Sequence, residues 1–152
     1  TDYISTREVE YFLNSLVTGD VDTFEAILQK YIKTSMSYFD KDGESPENIY
    51  HAFVLGLLVY LNGRYVVKSN SESGFGRYDI SLIPLDKTKK GIILEFKVVN
   101  TRKKETLEKA VESALKQIED KQYETELKAM GITDIAKYGV AFEGKEVLVG
   151  MA

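Results

Sequence analysis

The most constraining feature of the chain is an apolar run at residues 92–99 that is interrupted by two opposite charges, Glu95 and Lys97. Successive side chains of a β-strand project from opposite faces of a sheet, so these two charges share one face. Leu94, Phe96 and Val98 then share the other face. The run therefore predicts a strand with one buried face and one face that carries charge.

A second strand-like stretch, residues 76–82, precedes this run, with a connection at about 84–91. If the two stretches form a hairpin centred near Lys87, residues whose numbers sum to 174 face each other, so Asp79 lies opposite Glu95. This register predicts that two carboxylates and the Lys97 amine gather on one face. The opposite face would hold the apolar side chains Tyr78, Ile80, Leu82, Ile92, Leu94, Phe96 and Val98.

Two facing carboxylates repel each other, and burying them is costly unless a positive charge lies between them. Mg²⁺ meets that need, since it commonly binds one or two carboxylates together with substrate phosphate oxygens. This arrangement serves metal-assisted phosphodiester hydrolysis, in which an adjacent amine can orient the attacking water. The same spacing also fits a solvated sheet face with one Glu–Lys pair and an unrelated aspartate, and that alternative stays open.

The composition limits the class of protein. A chain of 152 residues with 43% hydrophobic content is long enough for one domain with a substantial core. It has no cysteine, which excludes disulfides and thiolate metal sites and fits a reducing, cytoplasmic location. The longest apolar stretch, residues 52–61, is too short to cross a bilayer, so no membrane partner is expected.

The net charge of −4 argues against a general nucleic-acid coat, but the charge is uneven. Residues 1–50 hold four basic and ten acidic side chains, whereas residues 87–104 hold seven basic side chains against Glu95 alone. A phosphate-bearing ligand would be attracted to the second segment. A solvated hairpin loop followed by a basic helix start would have the same composition.

The hydrophobic periodicity predicts the order helix, helix, helix, three strands, helix, two strands. The first helix should end near Gly19, the second should begin after Asp20, and the third should begin at Pro46. Residues 50–61 are apolar nearly all round, which predicts a buried helix. We further expect a strand at 65–67, a turn at 70–74, one long helix at about 105–130 and a hairpin at 138–150.

This order, with aspartate on the second strand and Glu-x-Lys on the third, resembles the PD-(D/E)xK nuclease superfamily. More narrowly, it is similar to the nuclease-like domain found C-terminal to AAA-type ATPases of bacteria and archaea. The resemblance implies a restriction-endonuclease-like αβββαβ core of α/β (α+β) class at residues 45–152, with a mixed central sheet flanked by helices, after an N-terminal helical segment at 1–44. It is carried by PENIYH at 46–51, SNSESGFGRYDI at 69–80, EFK at 95–97 and ALKQI at 114–118.

The resemblance implies cleavage of DNA that depends on Mg²⁺ or Mn²⁺. Asp79 and Glu95 match the metal-binding acids, Lys97 matches the lysine that serves the water, and Phe96 would lend its backbone carbonyl to the ion. Glu47 matches an acid that some members use as an additional ligand or to hold the water. An ordinary glutamate in the first turn of a helix is an equal reading of Glu47.

Gln117 matches a glutamine on the helix after the third strand in relatives of RecB-type nucleases. Those relatives place a tyrosine four residues later, where this chain has Lys121, while Tyr123 lies six residues after Gln117. The resemblance therefore implies substrate contacts from Gln117 and Lys121 and leaves Tyr123 outside the motif. A solvated side of a long helix would explain both polar residues equally well.

Further basic side chains are candidates for binding the phosphate backbone of DNA. Arg77 lies two residues before Asp79 and could pair with a phosphate or with a carboxylate. Lys90, Arg102 and Lys103 lie in the basic segment and, with Lys121, complete the expected nucleic-acid contacts.

The leading interpretation is a metal-dependent DNA nuclease domain. The alternative is a catalytically inactive nuclease-fold module that binds nucleic acid or a partner ATPase domain. A start at Thr1 rather than methionine suggests a piece of a larger protein, in which an AAA-type ATPase would be the neighbouring domain.

Overall fold

A computed structural model describes the backbone of residues 6–38, 46–72 and 77–152, and their side chains except at 6, 35–38, 46–49, 71, 72 and 77. In this part of the chain, five strands form one sheet in which they lie side by side in chain order, and the third and fourth strands are its one parallel pair. The mixed sheet flanked by helices confirms the expected fold class. The helices are α1 Thr6–Thr18, α2 Val21–Tyr38, α3 Pro46–Tyr60, α4 Leu107–Asp120 and α5 Tyr123–Ala129, and the strands are β1 Tyr65–Glu72, β2 Arg77–Pro84, β3 Gly91–Val98, β4 Ile135–Glu143 and β5 Glu146–Met151.

The N-terminal helices pack on one face of the sheet. Gly19 ends α1 at a φ of +85°, and Asp20 begins α2 by accepting a hydrogen bond from the backbone N–H of Thr23 at 3.3 Å. The buried Tyr138 on β4 donates a hydrogen bond of 3.0 Å to the backbone carbonyl of Leu16. The apolar faces of α1, α2 and α3 thus share one hydrophobic core with the sheet.

The β2–β3 hairpin has the predicted register, in which Asp79 pairs with Glu95 and Leu82 pairs with Ile92. The apolar side chains between these positions are buried beneath α1, α2 and α3. The opposite face of the hairpin carries Asp79 and Glu95 and is covered by α4 and α5. Strand alternation therefore separates the core from a charged face, as the sequence pattern predicts.

The predicted turn at 70–74 is wrong in its first half, because β1 continues to Glu72. Residues 70–72 pair with β2, and Asn70 lies opposite Asp79. Pairing with a neighbouring strand satisfies the backbone hydrogen bonds of this polar segment and outweighs its turn propensity. Residues 73–76 lie outside the described part of the chain.

The expected long helix at 105–130 is two helices, because the chain breaks at Gln122, whose φ is +56°. On one straight helix, at about 100° per residue, Leu127 would point about 180° away from Ile118. The break turns α5 so that Leu127 is buried in one cluster with Ile118, Ile93 and Ile132. Burial of Leu127 thus favours two helices over one.

The third helix is not buried all round as expected. Tyr50 and Leu57 are buried, but Leu55 and Val59 are 61% and 73% exposed. A helix that packs on a sheet buries only one side, so apolar residues on the other side remain in contact with solvent.

Candidate active site

Asp79 on β2 and Glu95 on β3 form a facing pair of buried carboxylates. Their exposed fractions are 3% and 1%, unusually low for charged side chains. Buried charges are stable only with compensating charge or hydrogen bonds. The pair is therefore a strong candidate for the functional centre.

Glycine on the neighbouring strand explains the depth of this burial. Glu95 pairs with Gly139 on β4, and a Cβ atom at Gly139 would lie 2.9 Å from the backbone oxygen of Val111 on α4. Because Gly139 has no side chain, α4 lies directly on the sheet at this point. This close approach seals Glu95 under the helix.

Three side chains hold the Asp79 carboxylate. Asn70 donates to Oδ1 at 3.1 Å, Tyr123 donates to Oδ2 at 2.9 Å, and the Lys121 amine lies 3.3 Å from Oδ2. Tyr50 donates to the backbone carbonyl of Asp79 at 3.1 Å. Asp79 is therefore fixed by contacts from β1, α3 and the α4–α5 junction.

Tyr123 is a hydrogen-bond donor at neutral pH. Burial, followed by its hydrogen bond to Asp79 and the negative charge there, raises the pKa of Tyr123 to about 12. The neutral hydroxyl has one hydrogen, and it donates this hydrogen to Asp79.

The Lys97 amine forms its contacts with Glu105 and Ser113 rather than with Asp79. Its Nζ lies 2.8 Å from Oε2 of Glu105 and donates to the Ser113 hydroxyl at 3.0 Å. Burial works to raise the pKa of Glu105, but the hydrogen bonds from Lys97 and the Asn100 backbone and the charges of Lys97 and Lys103 outweigh it, so this pKa lies below its usual value.

Lys97 nevertheless lies close to the carboxylate pair. A crevice too narrow for a water molecule is lined by Glu95, Lys97, Ser113, Ala114 and Gln117. The structure thus brings Glu95, Lys97 and Gln117 together. In place of Lys97, Lys121 contacts both carboxylates, since its amine also lies 3.9 Å from Oε1 of Glu95.

The predicted nucleic-acid contacts lie at two ends of β3. Arg102 and Lys103 follow the strand and, with Lys97, line an open groove of about 490 Å³. Lys90 precedes the strand, and its amine lies 3.0 Å from Oδ1 of Asp134. Because β3 has eight residues, it spans about 26 Å at the rise per residue of an extended chain, and Lys90 lies at the other end of the strand from this groove. The basic segment therefore does not form one continuous phosphate-binding surface.

Three predicted site residues are placed only in part. The Phe96 side chain lies in the core, which leaves only its backbone carbonyl available to an ion. Glu47 lies on α3 and Arg77 on β2, but their side chains lie outside the described part of the chain.

Sequence reasoning missed Tyr123 and Asn70 as partners of Asp79. The motif places a tyrosine four residues after the glutamine, and Tyr123 lies six residues after Gln117, so the resemblance does not identify it. The available signal was Leu127, which fits the apolar stripe only if the helix breaks between Ile118 and Leu127. The sequence predicts a turn at Asn70, and a turn residue has no strand register that would place it beside Asp79.

The donor set fits a hard divalent ion. Asp79 and Glu95 present carboxylate oxygens side by side, and Phe96 offers a backbone carbonyl between two strand partners. Within the described residues, no group of three or more acidic or histidine side chains gathers. The remaining ligands would be water and phosphate oxygens, as is common for Mg²⁺.

Comparison with known proteins identifies a family for the chain. A family model described as the PD-(D/E)XK nuclease superfamily matches residues 45–151, and proteins of this superfamily generally use divalent metal ions. No curated protein and no solved structure matches the chain significantly. In the described part of the chain, no helix has the length and hydrophobicity needed to span a membrane. The family match covers well over half of the sequence and includes both carboxylates, so the chain belongs to the PD-(D/E)XK nuclease superfamily.

Proposed function

We propose that the protein hydrolyses phosphodiester bonds of DNA with Mg²⁺ or Mn²⁺ held by Asp79 and Glu95. The observation that carries this proposal is the facing pair of buried carboxylates on β2 and β3, in a chain of a nuclease superfamily. Such a pair is costly to keep in a fold unless positive charge compensates it, and the single charge of Lys121 cannot balance two ionised carboxylates.

Different residues of the chain would hold the ion and fix the orientation of its ligands. Asp79 and Glu95 would hold the ion, and the contacts from Asn70 and Tyr123 keep the Asp79 carboxylate in one orientation. When bound, a divalent ion polarises the phosphoryl group and makes a water molecule more acidic. Glu47 and the Phe96 carbonyl are candidates for further ligands.

Lys97 supplies positive charge beside Glu95. Its pairing with Glu105 and Ser113 restricts the amine to the crevice that Gln117 also lines. From there it can orient the attacking water and stabilise charge that develops on the phosphate. A substrate phosphate would compete with Glu105 for the Lys97 amine.

The groove next to Lys97 is the proposed path of the DNA backbone. Arg102 and Lys103 are exposed and line this groove, and Lys121 lies at the carboxylate pair. Basic side chains at these positions would bind phosphate oxygens and give affinity that falls with salt. Lys90 and Arg77 remain candidates for contacts farther along the DNA.

Cleavage of a plasmid in Mg²⁺ tests the proposal. Glu95→Gln and Lys97→Ala should each lower the rate by about 100-fold or more, since each removes a group that acts on the reacting phosphate. Glu10→Gln removes an exposed carboxylate from α1, which packs on the other face of the sheet, and serves as the control. Equal cleavage by the wild type and Glu95→Gln, or cleavage in excess EDTA, would refute the mechanism.

A second function is binding of nucleic acid, or of a partner AAA-type ATPase domain, without cleavage. One observation favours it: the amines of Lys97 and Lys121 are both paired with carboxylates of the chain itself. Salt-dependent DNA binding with no cleavage in Mg²⁺ or Mn²⁺ would identify this function.

A further inference from the structure

A lysine amine lies between the two carboxylates proposed to hold the metal ion. Nζ of Lys121 is 3.3 Å from Oδ2 of Asp79 and 3.9 Å from Oε1 of Glu95. The carboxylate side chains are 4% and 2% exposed, and the Lys121 side chain is 20% exposed. One ammonium group thus lies against both buried carboxylates and offsets only part of their charge.

A divalent ion and this ammonium need the same carboxylate oxygens, and they repel each other at contact distance. We propose that Lys121 is a built-in competitor for the divalent cation, so that the ion binds Asp79 and Glu95 by displacing the amine and binds more weakly than it would without it. The inference rests on the proposed function, because it requires these carboxylates to bind a divalent ion.

The local structure permits Lys121 to leave while Asp79 stays in place. Asp79 keeps two neutral donors, Asn70 on Oδ1 and Tyr123 on Oδ2, when the amine moves away. Lys121 caps the C-terminal end of α4, where its long side chain has a route to solvent. The exchange therefore changes the charge between the carboxylates without requiring a new orientation of Asp79.

A titration with Mn²⁺, followed by electron paramagnetic resonance, measures the competition directly. Lys121→Met removes the charge and keeps an apolar side chain, and it should bind Mn²⁺ about tenfold more tightly than the wild type. Lys121→Arg retains a cation and should bind about as the wild type does. Lys116→Met removes an equal charge from an exposed position on α4 and controls for general electrostatics.

Labelling of the wild-type protein gives a second measurement that needs no variant. Lysine acylation followed by mass spectrometry should modify Lys121 several-fold faster in saturating Mg²⁺ than in EDTA, because the ion releases the amine to solvent. Lys116, which is exposed on α4, should react at the same rate in both conditions.

The outcomes separate the competition from the metal site itself. Suppose that the wild type binds Mn²⁺. If Lys121→Met then binds it no more tightly, or if saturating Mg²⁺ leaves the rate of Lys121 labelling unchanged, the competition is refuted and the metal site stands. If neither the wild type nor Lys121→Met binds Mn²⁺, both the competition and the proposed function are wrong.

Discussion

Replacement of Gly139 by alanine tests whether α4 must lie directly on the sheet beside Glu95. The added Cβ would lie 2.9 Å from the backbone oxygen of Val111 and 3.1 Å from Cγ of Leu115. A side-chain atom could rotate away, but the Val111 oxygen belongs to the helix backbone. Alanine at this position therefore has to displace α4 by several tenths of an ångström.

The substitution should lower the free energy of unfolding, because it overpacks a close helix–sheet contact. Overpacking typically costs about 1–3 kcal/mol. For a urea dependence of about 2 kcal/mol per molar, a loss of about 2 kcal/mol lowers the unfolding midpoint by about 1 M. Displacement of α4 also moves Ser113 and Gln117 away from Glu95, so DNA cleavage should fall in parallel.

Gly56→Ala is the matched control. Gly56 lies inside α3, and a Cβ there would meet nothing within 4 Å. Alanine in a helix interior is favoured over glycine by about 0.5–1 kcal/mol, so this variant should unfold at higher urea than the wild type. A Gly139→Ala protein as stable as the wild type would refute the close approach of α4.

Three further variants probe the surroundings of the site. Tyr123→Phe removes the hydrogen bond to Asp79 and should cost about 1.5 kcal/mol in urea unfolding, with an unchanged stability arguing against that bond. Gln122→Gly relieves a positive φ and should stabilise the protein by about 0.5–1 kcal/mol in thermal unfolding, whereas Gln122→Ala should not. The pKa of Glu105 is lowered in the folded state, so its contribution to stability is present above the unfolded pKa and is lost as pH falls through the folded pKa. Glu105→Gln should therefore lose less stability on acidification than the wild type. Identical pH profiles of stability for the two proteins would contradict the ion pair with Lys97.

The sheet and its register could be predicted because they depend on local alternation. Glu95 and Asp79 interrupt two apolar patterns at positions that only one hairpin register brings together, and that register is the observed one. A shift by one residue would pair Asp79 with Leu94 or Phe96 and place one of the two carboxylates in the core, so the pattern excludes it.

The surroundings of the carboxylates could not be predicted in the same way, because they depend on tertiary packing. Tyr123 reaches Asp79 only because the chain turns at Gln122, a residue with no strong preference for a left-handed conformation. Lys121, for which substrate contact is expected, lies against both carboxylates, a position that no sequence pattern indicates. The ion pair of Lys97 with Glu105 joins β3 to the segment before α4. The periodicity of a sequence predicts single elements and does not predict a contact of this kind.

A divalent ion between Asp79 and Glu95 is the claim on which the proposed function depends. Crystals of the protein soaked in Mn²⁺ and measured at a wavelength where manganese scatters anomalously would locate the ion. We expect one strong anomalous peak within about 2.5 Å of oxygens of both carboxylates, with the Lys121 amine moved away from them. No peak at this pair at saturating Mn²⁺, with Lys121 still in contact with Asp79, would contradict the claim.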